Sequence, residues 1–268
     1  KSYFLLIILG GLILSLILFF FNRFGDLAWL YAWIFLSAFL VLIQPLFTLF
    51  IAPMFNTFTP LEDGELKDKI NTFAEKVNFP ISRIDVMDGS RRSSKSNAYF
   101  SGLGKTKRIA LFDTLIEKHS VDELLSIIAH EVGHYKKKHN IKGIIMGVIQ
   151  TGIMFFLLSL FLNNEILFSA FKMENLSVYA SLLFFSILYS PIELIMSFVG
   201  NAISRKHEFE ADSFAKTSIG TGKDLIEGLK KLTVTNLGNL TPHKLTVWLS
   251  YSHPPVLSRI KALDNSEK

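Results

Sequence analysis

The five residues His130-Glu131-Val132-Gly133-His134 place two imidazoles four positions apart with a carboxylate beside the first. On a helix, positions i and i+4 lie one above the other, so both rings reach one cation. Glu131 then stands within reach of a water on that cation. The chemistry this spacing serves is metal-assisted hydrolysis, with zinc as the metal and the glutamate as proton acceptor. With seven His and 13 Glu in 268 residues, chance would produce the pattern roughly 0.01 times in such a chain. Gly133 adds to the signal. A glycine inside a helix costs about 1 kcal/mol against alanine, which suggests close approach of another backbone or of substrate.

Two imidazoles do not complete a catalytic zinc site, which takes three protein ligands and leaves one position open. The chain has no Cys, so the third ligand is a nitrogen or oxygen donor. The run His207-Glu208-Phe209-Glu210-Ala211-Asp212 offers one. Glu208 and Asp212 share a helix face. Glu208 is expected to bind the metal and Asp212 to accept a hydrogen bond from a ligating histidine, fixing its tautomer. Glu210 points elsewhere on the helix and is the weaker choice. His119, His139, His207 and His243 lack partner spacing and are read as surface or capping residues. His253 precedes Pro254-Pro255, which hold the backbone extended, and is placed to stabilise a developing oxyanion.

These side chains need elements to hold them. Ser120 with Glu123 three residues later makes a capping box, opening a helix through Leu124, Ile128 and Val132 to about Lys138. Upstream, the pattern predicts a helix over Glu62–Asn78 ended by Pro80, a strand over Ile81–Met87, and an exposed loop from Asp88 to Ser96. Two further strands, Ala98–Phe100 and Arg108–Phe112, form a hairpin around Gly102 and Gly104.

The rest of the composition does not suit a soluble protein. Half the residues are hydrophobic, 25 are Phe, and only 19% are charged. The apolar residues fall in four blocks, Tyr3–Phe21, Trp29–Met54, Ile144–Leu162 and Val178–Val199, each about the 20 residues that cross a bilayer. One signal peptide cannot explain four blocks. The expected organisation is two transmembrane helices in 1–55, a catalytic region with the zinc helix in 56–142, two more transmembrane helices in 143–200, and a second catalytic region with the third ligand in 201–268. Lys136, Lys137, Lys138, Lys142, Arg205 and Lys206 flank the last two spans, whereas the loop between them carries only Lys172. The positive-inside rule then puts both polar regions in the cytosol. The net charge of +5 is read as this orientation signal. No basic stripe interleaved with aromatics points to nucleic acid. Because the first residue is Lys, the sequence is expected to be a fragment or a processed chain. The fold class is therefore an all-α membrane bundle with a small α+β, gluzincin-like zinc-metallopeptidase portion. A non-enzymatic, zinc-stabilised membrane scaffold is the bland alternative, and Glu131, which is not a ligand, weighs against it.

Several stretches together resemble the integral-membrane CAAX prenyl proteases. They are Ser96-Asn97-Ala98-Tyr99-Phe100, Lys107–Leu115, the zinc helix with its Lys136–His139 tail, Ile203–Lys206, Glu208–Asp212 with Phe214-Ala215, Ser250–Pro255, and Arg259-Ile260 to Leu263. The resemblance implies one Zn2+, with Glu208 as its third ligand. It implies His253 and Arg259 as transition-state and substrate contacts, and Asn97, Ala98, Tyr99 and Phe100 as the edge strand along which a peptide lies. It further implies a helical membrane chamber and a lipidated peptide substrate, in the endoplasmic reticulum membrane of a eukaryote or the inner membrane of a bacterium. That family has seven spans against four here. The four-span HtpX-type quality-control proteases are the nearest rival, and KRIALFDTL and SYSHPP read closer to the prenyl protease type.

Overall fold

Each element forms where the side chains permit it, and a computed structural model describes residues 2–101, 107–162, 164–175 and 177–265. The chain divides into two compact units, Lys1–Ile43 with Ile141–Met196, and Gln44–Asn140 with Ser197–Lys268.

The first unit is helical. It is built from α1 (Ser2–Arg23), most of α2 (Ala28–Leu46) after a short 3-10 turn, and later in the chain α7 (His139–Phe161), α8 (Glu165–Ala170) and the first part of α9 (Val178–Ile219). Its core is aromatic: Phe21, Phe155, Phe185 and Tyr189 pack around Ala28 and Ala32. The Trp33 indole N–H donates to the Val148 carbonyl at 2.8 Å, and Gly152 lets that ring lie against the helix. Among the described residues, four helices are long and apolar enough to cross a membrane: Tyr3–Arg23, Gly25–Ile43, His139–Phe161 and Val178–Ile219. Their outer faces carry Phe4, Ile7, Tyr179 and Ile195, each at least 60% exposed. In water such a surface is penalised by about 25 cal/mol per Å2; in a lipid core it is not.

The second unit holds the sheet. After a π turn (Phe47–Ile51) and α3 (Ala52–Phe55) come β1 (Phe58–Pro60), α4 (Glu65–Lys76), β2 (Ile81–Met87), β3 (Ala98–Ser101) and β4 (Lys107–Phe112). The strand order is β1-β2-β4-β3, with β2 and β4 parallel and both outer pairs antiparallel. β3 is thus an edge. The helix expected over 62–78 is the shorter α4. The turn expected around Gly102 and Gly104 lies outside the described residues. The second apolar block is not one helix to Met54: α2 stops at Leu46, one residue past Pro45, whose missing N–H breaks the regular ladder, and a π turn follows.

Next in the chain are α5 (Asp113–Ile116) and α6 (Val121–Lys136), followed by the last part of α9, then α10 (Lys223–Thr235), α11 (Lys244–Ser250) and α12 (Val256–Asn265). The capping box at α6 is present. Ser120 Oγ accepts from the Glu123 amide, and the Glu123 carboxylate accepts from the Ser120 amide. Lys231 of α10 adds an ion pair to Glu123 at 2.7 Å. Leu124, Ile128 and Val132 recur at i+4 and bury against Ile109 and Leu111 of the sheet, Phe73 of α4, and Leu225 and Leu229 of α10. That packing fixes the rotation of α6 and so decides where its histidines point.

Candidate metal centre

His130 and His134 stand one turn apart on α6, and α9 packs against the intervening Gly133 at Ala211. A Cβ on Gly133 would lie 3.1 Å from the Ala211 Cα and carbonyl oxygen, so the glycine serves another backbone. Gly133→Ala gains helix propensity but meets helical backbone that cannot yield. We expect it to push α6 from α9, lowering both zinc affinity and the unfolding temperature. A titration of the variant with zinc that matched the unmutated chain would refute this.

With the helices in contact, Glu208 reaches the histidines. His134 Nε2 lies 3.1 Å from His130 Nε2 and 3.3 Å from Glu208 Oε1, and His130 Nε2 lies 3.5 Å from Glu208 Oε2. A tetrahedral zinc with ligands at 2.0–2.1 Å separates its donors by about 3.3 Å. The two imidazoles face different oxygens of Glu208, each residue offers one donor atom within 4.8 Å of the other two, and the nitrogen and oxygen chemistry suits such an ion.

The partners behind the donors are charged. His130 Nδ1 lies 2.8 Å from Asp212 Oδ1. Asp212 also receives two hydrogen bonds from Arg259, Nε to Oδ2 at 2.8 Å and Nη2 to Oδ1 at 2.6 Å. Arg259 Nη1 reaches Glu208 Oε2 at 3.1 Å. Burial by itself would raise the Glu208 carboxyl. The His134 hydrogen bond and the charges of Arg259, His130 and His253 outweigh it and hold the group at about 2. Asp212 is likewise held at about 2 against burial, by hydrogen bonds from His130 and Arg259. Both carboxylates are outside the apolar part of α9, which ends near Val199.

Glu131 is not among the donors. It opens into a cleft of about 520 Å3 shared with His130, His134, Glu208, His253 and Arg259. Burial raises its carboxyl, and the charge of Glu208 adds to that, while His130, His134 and Arg259 oppose. A carboxylate shifted upward is a better proton acceptor near neutrality. His253 stays exposed, with Nε2 3.4 Å from Glu208 Oε1 and Nδ1 2.9 Å from the Ser252 hydroxyl. Asn97 and Ala98 line the same cleft, and the backbone of Tyr99 and Phe100 continues β3 along the sheet edge.

Arg259 lines the cleft, is largely buried, and has its guanidinium on Asp212 and Glu208. His139, read as a surface or capping residue, is instead buried and touches both His134 and Glu210. His119 is buried and not on the surface, and its Nδ1 meets the Leu115 carbonyl in the last turn of α5 at 2.9 Å, a capping contact. Spacing from His134 cannot reveal His139, because position i+5 leaves the helix face. The chain brings it back after α6 ends, through Lys138 at φ +59°. His243 does cap its helix, accepting from the Leu245 amide.

Known proteins are similar to this chain along most of its length. The chain is 39% identical to CAAX prenyl protease 1 of Saccharomyces cerevisiae over 98% of its own length and 62% of the relative's. It is 35% identical to the CAAX prenyl protease 1 homolog of Homo sapiens, over 93% and 60%. It therefore spans less than two thirds of the length of these relatives. The crystal structure of S. mikatae Ste24p superposes with a TM-score of 0.91 at 37% identity, covering 98% of this chain and 65% of that one. The sequence profile "CAAX prenyl protease N-terminal, five membrane helices" matches residues 1–57, and with four membrane-capable helices the chain is a multi-pass integral membrane protein. The profile of peptidase family M48 matches residues 60–267, a stretch that holds α6, the second half of α9 and every donor described above, and a metal cofactor goes with it: the chain belongs to peptidase family M48.

Proposed function

We propose that the chain is the catalytic part of a zinc endopeptidase that hydrolyses a peptide bond near the C-terminus of prenylated CAAX proteins. The observation that carries this is the meeting of three possible metal donors from two helices within 4.8 Å of one another, with a fourth group, Glu131, in the same cleft and outside that donor group. His130, His134 and Glu208 would hold the ion. Zinc, when bound, supplies a Lewis acid for the scissile carbonyl and lowers the pKa of water toward 7. Glu131 takes the proton from the attacking water and passes it to the leaving amine. His253, exposed at the cleft, donates to the oxyanion from Nε2. Arg259 keeps Asp212 and Glu208 charged and in place.

The peptide adds as a strand to β3. Asn97 pairs with β4 through its carbonyl, which accepts from the Phe112 amide at 3.1 Å. In an antiparallel ladder the next residue faces the other way, so the Ala98 amide points to the free edge. There Asn97 Oδ1 caps it at 2.9 Å, a contact a substrate carbonyl replaces. Lysines and arginines next to the spans support a cytosolic position for the catalytic unit.

The test is cleavage of a farnesylated CAAX peptide and its unlipidated twin, each with and without a zinc chelator. Cut lipidated peptide, protected by chelator, is the expected result. No hydrolysis of either peptide by zinc-loaded protein would refute the reading. Equal cleavage of both would replace prenyl recognition with general membrane-protein degradation of the HtpX type.

A further inference from the structure

One cluster beside the metal position has no part in the mechanism above. His139 Nε2 lies 3.0 Å from Glu210 Oε2, and His139 Nδ1 lies 3.0 Å from His134 Nδ1. The His207 ring stacks on His139 with centroids 3.9 Å apart and planes 9° from parallel. Lys206 Nζ is 3.8 Å from the other Glu210 oxygen. His139 is buried.

Hydrogen-bond direction settles who donates. A carboxylate accepts only, so the proton in the His139–Glu210 bond is on His139 Nε2. A neutral imidazole carries one N–H, which leaves His139 Nδ1 bare. The bond to His134 can then form only if His134 Nδ1 donates. His134 Nε2 is left with its lone pair, and that atom faces Glu208 and His130 Nε2. Asp212 does the same for His130 directly, across 2.8 Å.

We propose that Glu210 and His139 form a positioning pair that sets the tautomer of His134 and aims its Nε2 lone pair at the metal. The inference rests on the metal reading above. It also explains why an intermediary is needed. Glu210 is two positions from Glu208, roughly 200° around the helix, so its carboxylate cannot share the face of Glu208 and Asp212. His139 spans that gap, turned back by Lys138 and held flat by His207.

Partners of this kind change metal affinity by roughly 10–100-fold when removed. The experiment measures Zn2+ affinity of the full chain in detergent by competition with a chromogenic chelator, alongside thermal unfolding of the zinc-free protein. His139→Ala and Glu210→Ala are each expected to weaken zinc roughly 10–100-fold. The double variant should be no weaker than His139→Ala alone, because Glu210 acts only through His139. His139→Asn puts an amide oxygen near the place of Nδ1 and should restore most of the affinity. In that background Glu210→Ala should cost nothing. Unchanged affinity in either single variant, additive losses in the double, or no rescue by Asn would overturn the proposal. If His139→Ala fails to fold, the Glu210 and Asn variants decide the same question. An unmutated chain that bound no zinc would remove the metal reading and this inference with it.

Discussion

Replacing Glu131 by Gln is expected to leave zinc affinity unchanged and to lower turnover by roughly 10²–10⁴-fold, the range ascribed to a positioned general base. The two readouts separate because Glu131 stands outside the donor group of His130, His134 and Glu208. Glutamine preserves its shape within the cleft but cannot take a proton. Burial, with Glu208 nearby, raises the Glu131 carboxyl, which makes the carboxylate a stronger acceptor than an exposed glutamate, so the loss should fall on the chemical step and show in kcat. A Glu131→Gln protein that turned over at the unmutated rate would remove this residue as the base.

The second large effect concerns Glu208. It is the oxygen donor of the group and the one that comes from α9. Glu208→Ala leaves two imidazoles, one ligand short of a catalytic zinc site. We expect zinc affinity to fall by more than the roughly 100-fold that loss of a ligand's hydrogen-bond partner costs, and hydrolysis to vanish with it. The fold should survive. Arg259 loses its 3.1 Å contact with Glu208 but keeps both hydrogen bonds to Asp212, so its buried charge stays paired. Zinc stoichiometry and thermal unfolding of the metal-free variant check the two halves. Stoichiometric zinc in Glu208→Ala would mean that another donor completes the site.

Arg259 illustrates what three dimensions add to a residue singled out by resemblance. The resemblance implies contact with substrate. In the folded unit it is buried, gripping Asp212 with two nitrogens and Glu208 with the third. Changing it would act through those carboxylates, which hydrogen bonds from His134 and His130, and then Arg259, hold low against burial.

What the amino-acid order determines is what repeats at short range. The i, i+4 spacing of His130 and His134 needs only the helix period. The Ser120–Glu123 capping box needs only one turn. The strand over Ile81–Met87 and the apolar blocks come from local patterns of side chains, and all are legible before any chain folds back. Tertiary structure decides what happens between distant segments. It brings Glu208 to within 3.5 Å of His130, 78 positions away, because Gly133 lets α9 lie directly on α6. It places Glu210 against His139, where helical spacing gave no sign of a partnership. Contacts of that kind depend on the packing of Leu124, Ile128 and Val132, which sets the rotation of the zinc helix, and packing joins residues whose separation along the chain carries no periodic signal.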